Sequence, residues 1–494
     1  VPEIAFHKLS VSDGDPQSYN AGDCLGTADI WEKLNSLKHP RLIYDLERGV
    51  QALYLEMMLR GFRVDPLARE DGIRSVTAKL RAMDGFLCEM SQALIGTDVN
   101  YDSGKQLKEL FYGFLRIPPI KKWVKGEIKE PMDGDTLEKL LRYPDAQMFA
   151  RAVLSCRELD KELEKIEMEV DDDFRMRTSV NIAGTTEGRT SSSESFLGTG
   201  GNMQNVTQEL RHMFIADDGW KLAGIDKEQA ESRWVGFLCG ILFGDWKYLD
   251  ACESGDLHTI VSRLWVKDID WTGDLAKDKI LASRPFGSGK GTVDTIRQAS
   301  KHLNHATCIM GKPPTIESHI GIPRKTVALF QEGFFGPDGF PAIPRLHTWI
   351  ANKINATQFL TNPFGRRRDF FGRPDDDATI RKGMAFMQAS PNADDIKIGM
   401  NRIWHGMGDR VQLLSEEHDA IYFQFRESDN EMEVITEAQK HLDVVFDLGF
   451  RKFSVPTEAK TGYNKGPRWK FDSSGNKIES NPRGLDKPGA KRNV

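Results

Sequence analysis

Apolar residues at Leu46, Val50, Leu53, Tyr54, Met57 and Met58 recur at helical spacing, so residues 41–95 read as two helices. Gly61 ends the first, and Val64-Asp65-Pro66 opens the second. A polar connection from Asn100 to Ser103 leads into a helix at 106–115. A Pro-, Lys- and Gly-rich loop fills 116–134, and 137–166 is again helical. Residues 40–170 therefore predict a long helical arm, bounded by Asp171-Asp172-Asp173, while 1–38 form a mixed segment without a core of its own. Beyond the boundary come a loop-rich stretch at 181–208 and a strand over Lys221–Asp226. Helical patterns then run through 227–360, interrupted by a Gly-rich loop at 285–292, and a helix follows at 381–404. Val411–Leu414 and Ala420–Phe425 alternate apolar and polar residues around Ser415–Asp419, the pattern of a β-hairpin. The polar tail beyond Trp469, with its Gly, Pro and Ser, reads as disordered.

Composition narrows the class. A chain of 494 residues has room for about three ordinary domains. Its 39% hydrophobic and 28% charged residues are those of a globular protein. No apolar run approaches the roughly 20 residues needed to span a bilayer, and the first residues have no secretory pattern. Six scattered cysteines without a CxxC pair argue against zinc ribbons and a disulfide framework, and for a reducing compartment such as the cytoplasm. The net charge of −6 is no advertisement for a nucleic-acid binder. The basic residues nevertheless cluster, at Arg366-Arg367-Arg368, at Arg297 with Lys301, and from Lys465 to Arg492. Each cluster taken alone is as well a solvated face.

Three segments carry candidate chemistry. Asp226 ends an apolar strand just before a helix, and Asp419 sits at the turn of the expected hairpin. Two carboxylates on rigid elements, brought together, can hold two Mg²⁺ ions about 4 Å apart for phosphoryl transfer. Either Asp by itself reads better as a cap or turn residue than as a metal ligand. Arg297, Lys301 and His305 follow at i, i+4 and i+8, along one helix face. Paired cations of this kind suit a triphosphate, Arg as a two-pronged donor and Lys as a point charge.

These segments resemble, in order, three motifs of the family A DNA polymerases: Asp226-Lys-Glu-Gln-Ala-Glu231-Ser-Arg233, Arg297-Gln-Ala-Ser-Lys301-His-Leu-Asn304-His305, and Glu417-His418-Asp419-Ala420. Further blocks are similar to the family's primer-contacting segment (Thr186 to Ser192, then Gln204-Asn205), its nucleotide-side histidine (Gly255 to His258), its template-side contacts (Gly365 to Arg368, Met387-Gln388) and its thumb (Leu46 to Asp65, Asn100 to Leu107). The resemblance covers about residues 40–465. It implies an α+β right-hand polymerase fold with an antiparallel palm sheet and helical thumb and fingers. The implied divisions are an exonuclease remnant at 1–38, thumb at 39–172, palm at 173–235 and 381–468, fingers at 236–380, and a disordered tail at 469–494.

The resemblance also implies roles. Asp226 and Asp419 would bind two Mg²⁺ ions, with Mn²⁺ as a substitute. Arg297, Lys301 and His258 would neutralise triphosphate charge, with Lys301 also acting in catalysis. Glu231 would crowd the sugar 2′ position, Gln229 would lie beside the dNTP, and His305 would stack near its base or sugar. Arg189, Gln204, Asn205, Gln388 and His418 would contact primer–template DNA, mostly checking pair shape, and Arg366 would touch the template strand.

Several departures matter. His305 stands where cellular members carry Phe or Tyr, and the Asn304-His305 pair resembles bacteriophage members, which would place the chain in a host cytoplasm. Ile309 replaces a Tyr that supports the sugar-gating Glu, so Glu231 is expected to be less firmly oriented. Ala420 removes a third carboxylate. The stretch from Gln388 to Asp394 is one residue longer than the family pattern, which leaves Asp394 and Asp395 without implied roles. Tyr19-Asn-Ala-Gly-Asp23 resembles the last motif of a 3′–5′ proofreading exonuclease whose other carboxylates would lie upstream. The chain is therefore expected not to proofread alone, and to rely on a separate exonuclease polypeptide if it proofreads; a processivity factor is a second candidate partner. Gly287 to Thr292 mimics a phosphate-binding loop but lacks the required Gly and Ser/Thr placements. Two other classes compete: a decayed polymerase that only binds duplex, and a single-subunit RNA polymerase, against which Glu231 argues.

Overall fold

The strand that ends in Asp226 is the centre of the molecule. In a computed structural model describing residues 16–36, 41–124, 126–287, 295–471 and 477–491, β1 (Trp220–Lys227) lies inside a four-stranded antiparallel sheet. Its neighbours are β3 (Ala420–Arg426) and β4 (Thr457–Gly462), and β2 (Val411–Glu417) flanks β3, giving the order β2-β3-β1-β4. Side chains alternate across a strand. Ala223 and Ile225 enter one core with Ile396, Met400, Ile421 and Phe423. Leu222 enters another, on the opposite face, with Phe62, Phe214, Tyr422 and Leu485. Gly224 shares that second face. A Cβ there would stand 2.8 Å from the Tyr422 ring, so the approach of that ring requires glycine.

The helical arm is present, in more pieces than the periodicity suggests. After helix α1 (Pro16–Ser36), exposed over residues 22–36, α2 (Arg41–Gly49) and α3 (Gln51–Arg60) are separated at Val50, and α4 (Pro66–Ile95) begins at Asp65, whose carboxylate accepts from the Leu67 and Ala68 N–H groups. α4 packs against α5 (Pro144–Glu167). A separate core of Leu87, Leu107, Phe111, Leu137, Phe149 and Val153 fills the far end of the arm. Within the expected loop at 116–134 is a short hairpin, Lys122–Val124 with Glu127–Lys129. Of the Gly-rich loop, residues 288–292 lie outside the described residues, as do 1–15 and Arg492.

Between β1 and β2 the chain makes a helical excursion. α6 (Ala230–Phe243), α7 (Leu257–Trp265) and α8 (Ile296–Cys308) share one core with Phe330, Leu346 and Met384. The excursion returns through α9 (Asp377–Met407), which packs on α6 and below the sheet. The tail corrects the sequence expectation. Trp469–Phe471 pairs with Lys477–Glu479, Leu485 is buried, and Thr461 and Asp486 exchange backbone hydrogen bonds of 2.8 and 2.9 Å. A short apolar anchor and backbone pairing to a sheet edge hold its described residues in place, and neither leaves a periodic signature. Among the described residues no helix is long and apolar enough to cross a membrane, and all six cysteines are free.

Candidate active site

β1 and the β2–β3 turn bring the two aspartates together. Ala420 is the register partner of Asp226, and the Lys227 N–H donates to the Asp419 carbonyl at 2.9 Å. The turn itself is tight: His418 adopts φ 58°, a left-handed conformation uncommon for a residue with a side chain. Asp226 and Asp419 line one cleft of about 340 Å³, with Arg211, Tyr422, Lys460 and Leu485. Asp226 opens into that cleft, yet the protein packed around its carboxyl, and then the neighbouring Asp419 charge, push its pKa up to about 6. Asp419 is also raised, by burial first and then by the Glu231 charge.

Glu231, in the first turn of α6, is gripped from three sides. Arg189 donates to it at 2.6 Å, Gln388 Nε2 at 2.9 Å, and His305 Nδ1 lies 3.2 Å away. Burial alone would raise its pKa. The His305 hydrogen bond and charge, with that of Arg189, overturn this and hold it at about 2. The same contact raises His305 above the ordinary histidine value, against burial. The expectation that Ile309 leaves Glu231 loose is therefore corrected: three other side chains orient it, and Ile309 is only the half-buried cap of α8.

α9 presents a stripe to the site that sequence reading largely missed. Gln388 reaches Glu231, Asn392 donates to Asp419 at 2.6 Å, and buried Asp395 pairs at 3.0 Å with Lys227, which follows Asp226. Positions 388, 392 and 395 fall on one helix face, and that spacing was the available signal. Lys227 also donates to the Leu442 carbonyl at 2.7 Å. Gln204 donates to Thr190 and to the Glu416 carbonyl, both at 3.2 Å, behind the turn, and Asn205 beside it is exposed. Gln229 takes a left-handed conformation, φ 52°, just before α6.

A second group lies on α7 and α8. Asp256 caps α7 and accepts from Arg297 Nε at 3.0 and 3.2 Å, so Arg297 is tethered, while Lys301 is exposed one turn further on. His258 departs from its expected role as a cation. Burial first, and then the Arg297 charge, lower its pKa to about 4, leaving it neutral near pH 7. Asn304 turns inward to the Tyr248 hydroxyl at 2.9 Å.

Arg366 also departs. It was expected at the template strand, yet its side chain is only 12% exposed, bonded to Asp394 at 2.7 Å and to Glu47. It packs beneath Gly188, where a Cβ would meet Arg366 Nε at 2.5 Å. A buried guanidinium needs its carboxylates, and these come from α9 and α2. Asp394 and Asp395 thus acquire structural places, one beside Arg366 and one beside Lys227.

The donor set suits a divalent cation. The Asp419 charge raises the Asp226 pKa, an effect that a positive ion would relieve, and carboxylate oxygens are the donors that a hard divalent cation takes. An acidic pair at a sheet turn and a clamped glutamate at the start of the following helix thus lie on an antiparallel sheet of an α+β, right-hand fold.

Comparison with known proteins agrees. The profile of DNA polymerase family A matches residues 73–470, and the chain belongs to that family. It is 24% identical over 462 residues to the thermostable DNA polymerase I of Thermus aquaticus, covering 88% of this chain and 49% of the relative. It is 24% identical over 495 residues to DNA polymerase I of Chloroflexus aurantiacus, covering 94% and 47%. The chain thus spans about half the length of these curated relatives. The POL domain of Pol1 from M. smegmatis, solved in complex with DNA primer-template and dNTP, superimposes with a TM-score of 0.67 at 20% identity, covering 85% of this chain and 70% of that one.

Proposed function

We propose that this chain is a DNA-directed DNA polymerase, extending a primer 3′-OH with deoxynucleoside triphosphates under the direction of a template, in DNA replication. The observation that carries the reading is the convergence of Asp226 and Asp419 on adjacent strands of a family A fold. Divalent ions, two Mg²⁺ with Mn²⁺ as a substitute, would be held by these carboxylates; when bound, they supply activation of the attacking hydroxyl and neutralisation of the pyrophosphate.

The protein's own groups do the rest. Asn392 fixes one Asp419 oxygen by hydrogen bonding, and the Lys227–Asp395 pair anchors the end of β1. Lys301, exposed on α8, meets the triphosphate as a point charge, and Arg297 joins it once it exchanges Asp256 for phosphate. His258, neutral, acts there as a hydrogen-bond donor. Glu231 stands against the sugar, held by Arg189, His305 and Gln388, and Gln229 borders the same space. Arg189, Gln204, Asn205, Gln388 and His418 face the primer–template. Arg366 supports the Gly188 loop from below. We assign the thumb to 39–172, the palm to 173–235 and 381–468, and the fingers to 236–380. A bacteriophage origin rests on the resemblance of the Asn304-His305 pair, and the relatives named above are bacterial.

The test is primer extension on a primed template with Mg²⁺ and four dNTPs, beside Asp226→Ala and Asp419→Ala. The parent is expected to extend and both variants to fail. Duplex binding by the parent without extension would replace this reading with that of a decayed, DNA-binding polymerase.

A further inference from the structure

Residues 477–491 lie beyond the residues the family profile matches, yet one of them, Leu485, lines the cleft that holds Asp226 and Asp419. Leu485 lines that cleft together with Asp226 and Asp419, and joins Leu222 and Tyr422 in the core beneath. The segment is tied down by backbone. The Tyr463 N–H donates to the Arg483 carbonyl at 2.7 Å, the Leu485 N–H to Gly466 at 2.7 Å, and the Arg468 N–H to Leu485 at 3.0 Å. Gly484 is pressed so close that a Cβ would stand 2.6 Å from the Gly466 carbonyl.

Its charges are sorted. The acidic groups are consumed internally: Glu479 accepts from Arg468 at 2.6 Å, and Asp486 accepts from Arg468 at 3.2 Å and from the Trp469 indole at 2.9 Å. The cations Lys477, Arg483, Lys487 and Lys491 are exposed, and none forms an ion pair with a carboxylate among the described residues. Arg483 and Lys487 stand two residues on either side of Leu485, so they flank the cleft wall. Lys477 lies over the Trp469 ring at 4.6 Å and Arg483 over the Tyr463 ring at 5.7 Å, so the exposed cations outnumber the segment's bonded carboxylates and give it local positive charge on a chain of net charge −6.

We propose that residues 477–491 form a cationic platform that binds backbone phosphates of duplex DNA at the edge of the Asp226–Asp419 cleft. The inference rests on the proposed polymerase reading for which duplex is bound. The platform makes no base contacts, so its contribution is independent of sequence and is lost with salt.

The experiment compares the 494-residue chain with a variant carrying K477Q, R483Q, K487Q and K491Q, and with a control carrying K477R, K487R and K491R. Binding to a fluorescent primed hairpin duplex is measured by anisotropy without dNTPs, from about 50 to about 200 mM salt. Each phosphate contact contributes about 0.9 to the slope of log affinity against log salt, so four contacts make the parent lose about a hundredfold more affinity than the variant over that range. The expected result is weaker binding and a shallower slope for the Gln variant, parent-like behaviour for the Arg control, and an unchanged single-turnover extension rate at saturating duplex. Equal affinity and slope in parent and Gln variant overturn the proposal, as does an effect confined to the dNTP concentration dependence. Failure of the parent to extend while it still binds duplex strikes the proposed function and leaves the platform comparison readable. Failure of the parent to bind duplex overturns both.

Discussion

Replacing Asp226 by Asn should stabilise the protein while abolishing its chemistry. In the folded state the Asp226 carboxyl titrates at about 6 instead of 3.8, so the ionised form is disfavoured there relative to the unfolded chain. The sign follows from linkage: the penalty is absent below the unfolded value, grows as pH rises from 3.8, and is complete above about 6. A displacement of that size corresponds to about 3 kcal/mol for a carboxyl sealed from water. Asp226 opens to the cleft, and solvent screening reduces the figure to roughly 1 kcal/mol. The assay is urea unfolding followed by tryptophan fluorescence, parent against Asp226→Asn, at about pH 7.5 and about pH 4. The variant should be more stable at the higher pH, and the gap should close at the lower one. Millimolar Mg²⁺ should stabilise the parent and leave the variant unmoved, because only the parent keeps both ligands. A variant less stable than the parent at the higher pH, or a gap independent of pH, would refute the argument that crowding and the Asp419 charge hold this group up.

Other outcomes follow from the packing around the site. With Glu231 held by Arg189, His305 and Gln388, Ile309→Tyr should leave the ratio of dNTP to rNTP incorporation unchanged. His305→Ala should lower that ratio several-fold, and the parent's ratio should decline as pH rises through the elevated His305 value, where the charged contact is lost; a flat pH profile would count against it. Lys227→Met strands Asp395, both side chains being 1% exposed, and should cost about 3–5 kcal/mol in unfolding experiments. Lys227→Met with Asp395→Leu should recover most of that loss, and a double variant as unstable as the single one would show that the pair is not the cause.

The parts legible in the sequence were those where one local pattern decides the outcome. β1 reads as a strand because Leu222, Ala223 and Ile225 are apolar and flanked by polar ends, and the β2–β3 hairpin reads from its alternation. The family motifs then led to Asp226, Asp419 and Glu231. What was illegible depends on partners far along the chain. Arg366 turns inward because Glu47 and Asp394 are there to receive it. That His258 is neutral follows from burial, which no spacing reveals. Asn392 shares a helix face with Gln388 and Asp395, but what that face meets, the turn that holds Asp419, lies elsewhere in the chain. The last segment has no periodicity at all, because Leu485 and a few backbone pairs hold it.

The strand order has a consequence for how the chain comes into being. β1 is an inner strand, but both of its neighbours, β3 and β4, are made from residues after 419, with the whole helical excursion in between. During synthesis β1 therefore emerges with both edges open: the first finds its partner only once Arg426 has been made, and the second only once Gly462 has. An unpaired apolar strand is a template for association with other chains, and closing so long a loop is slow. Nascent chains that stall before Ala420 should be the aggregation-prone species, and a chaperone that shields β1 until Gly462 is out should raise the yield of folded protein more than one that acts after release.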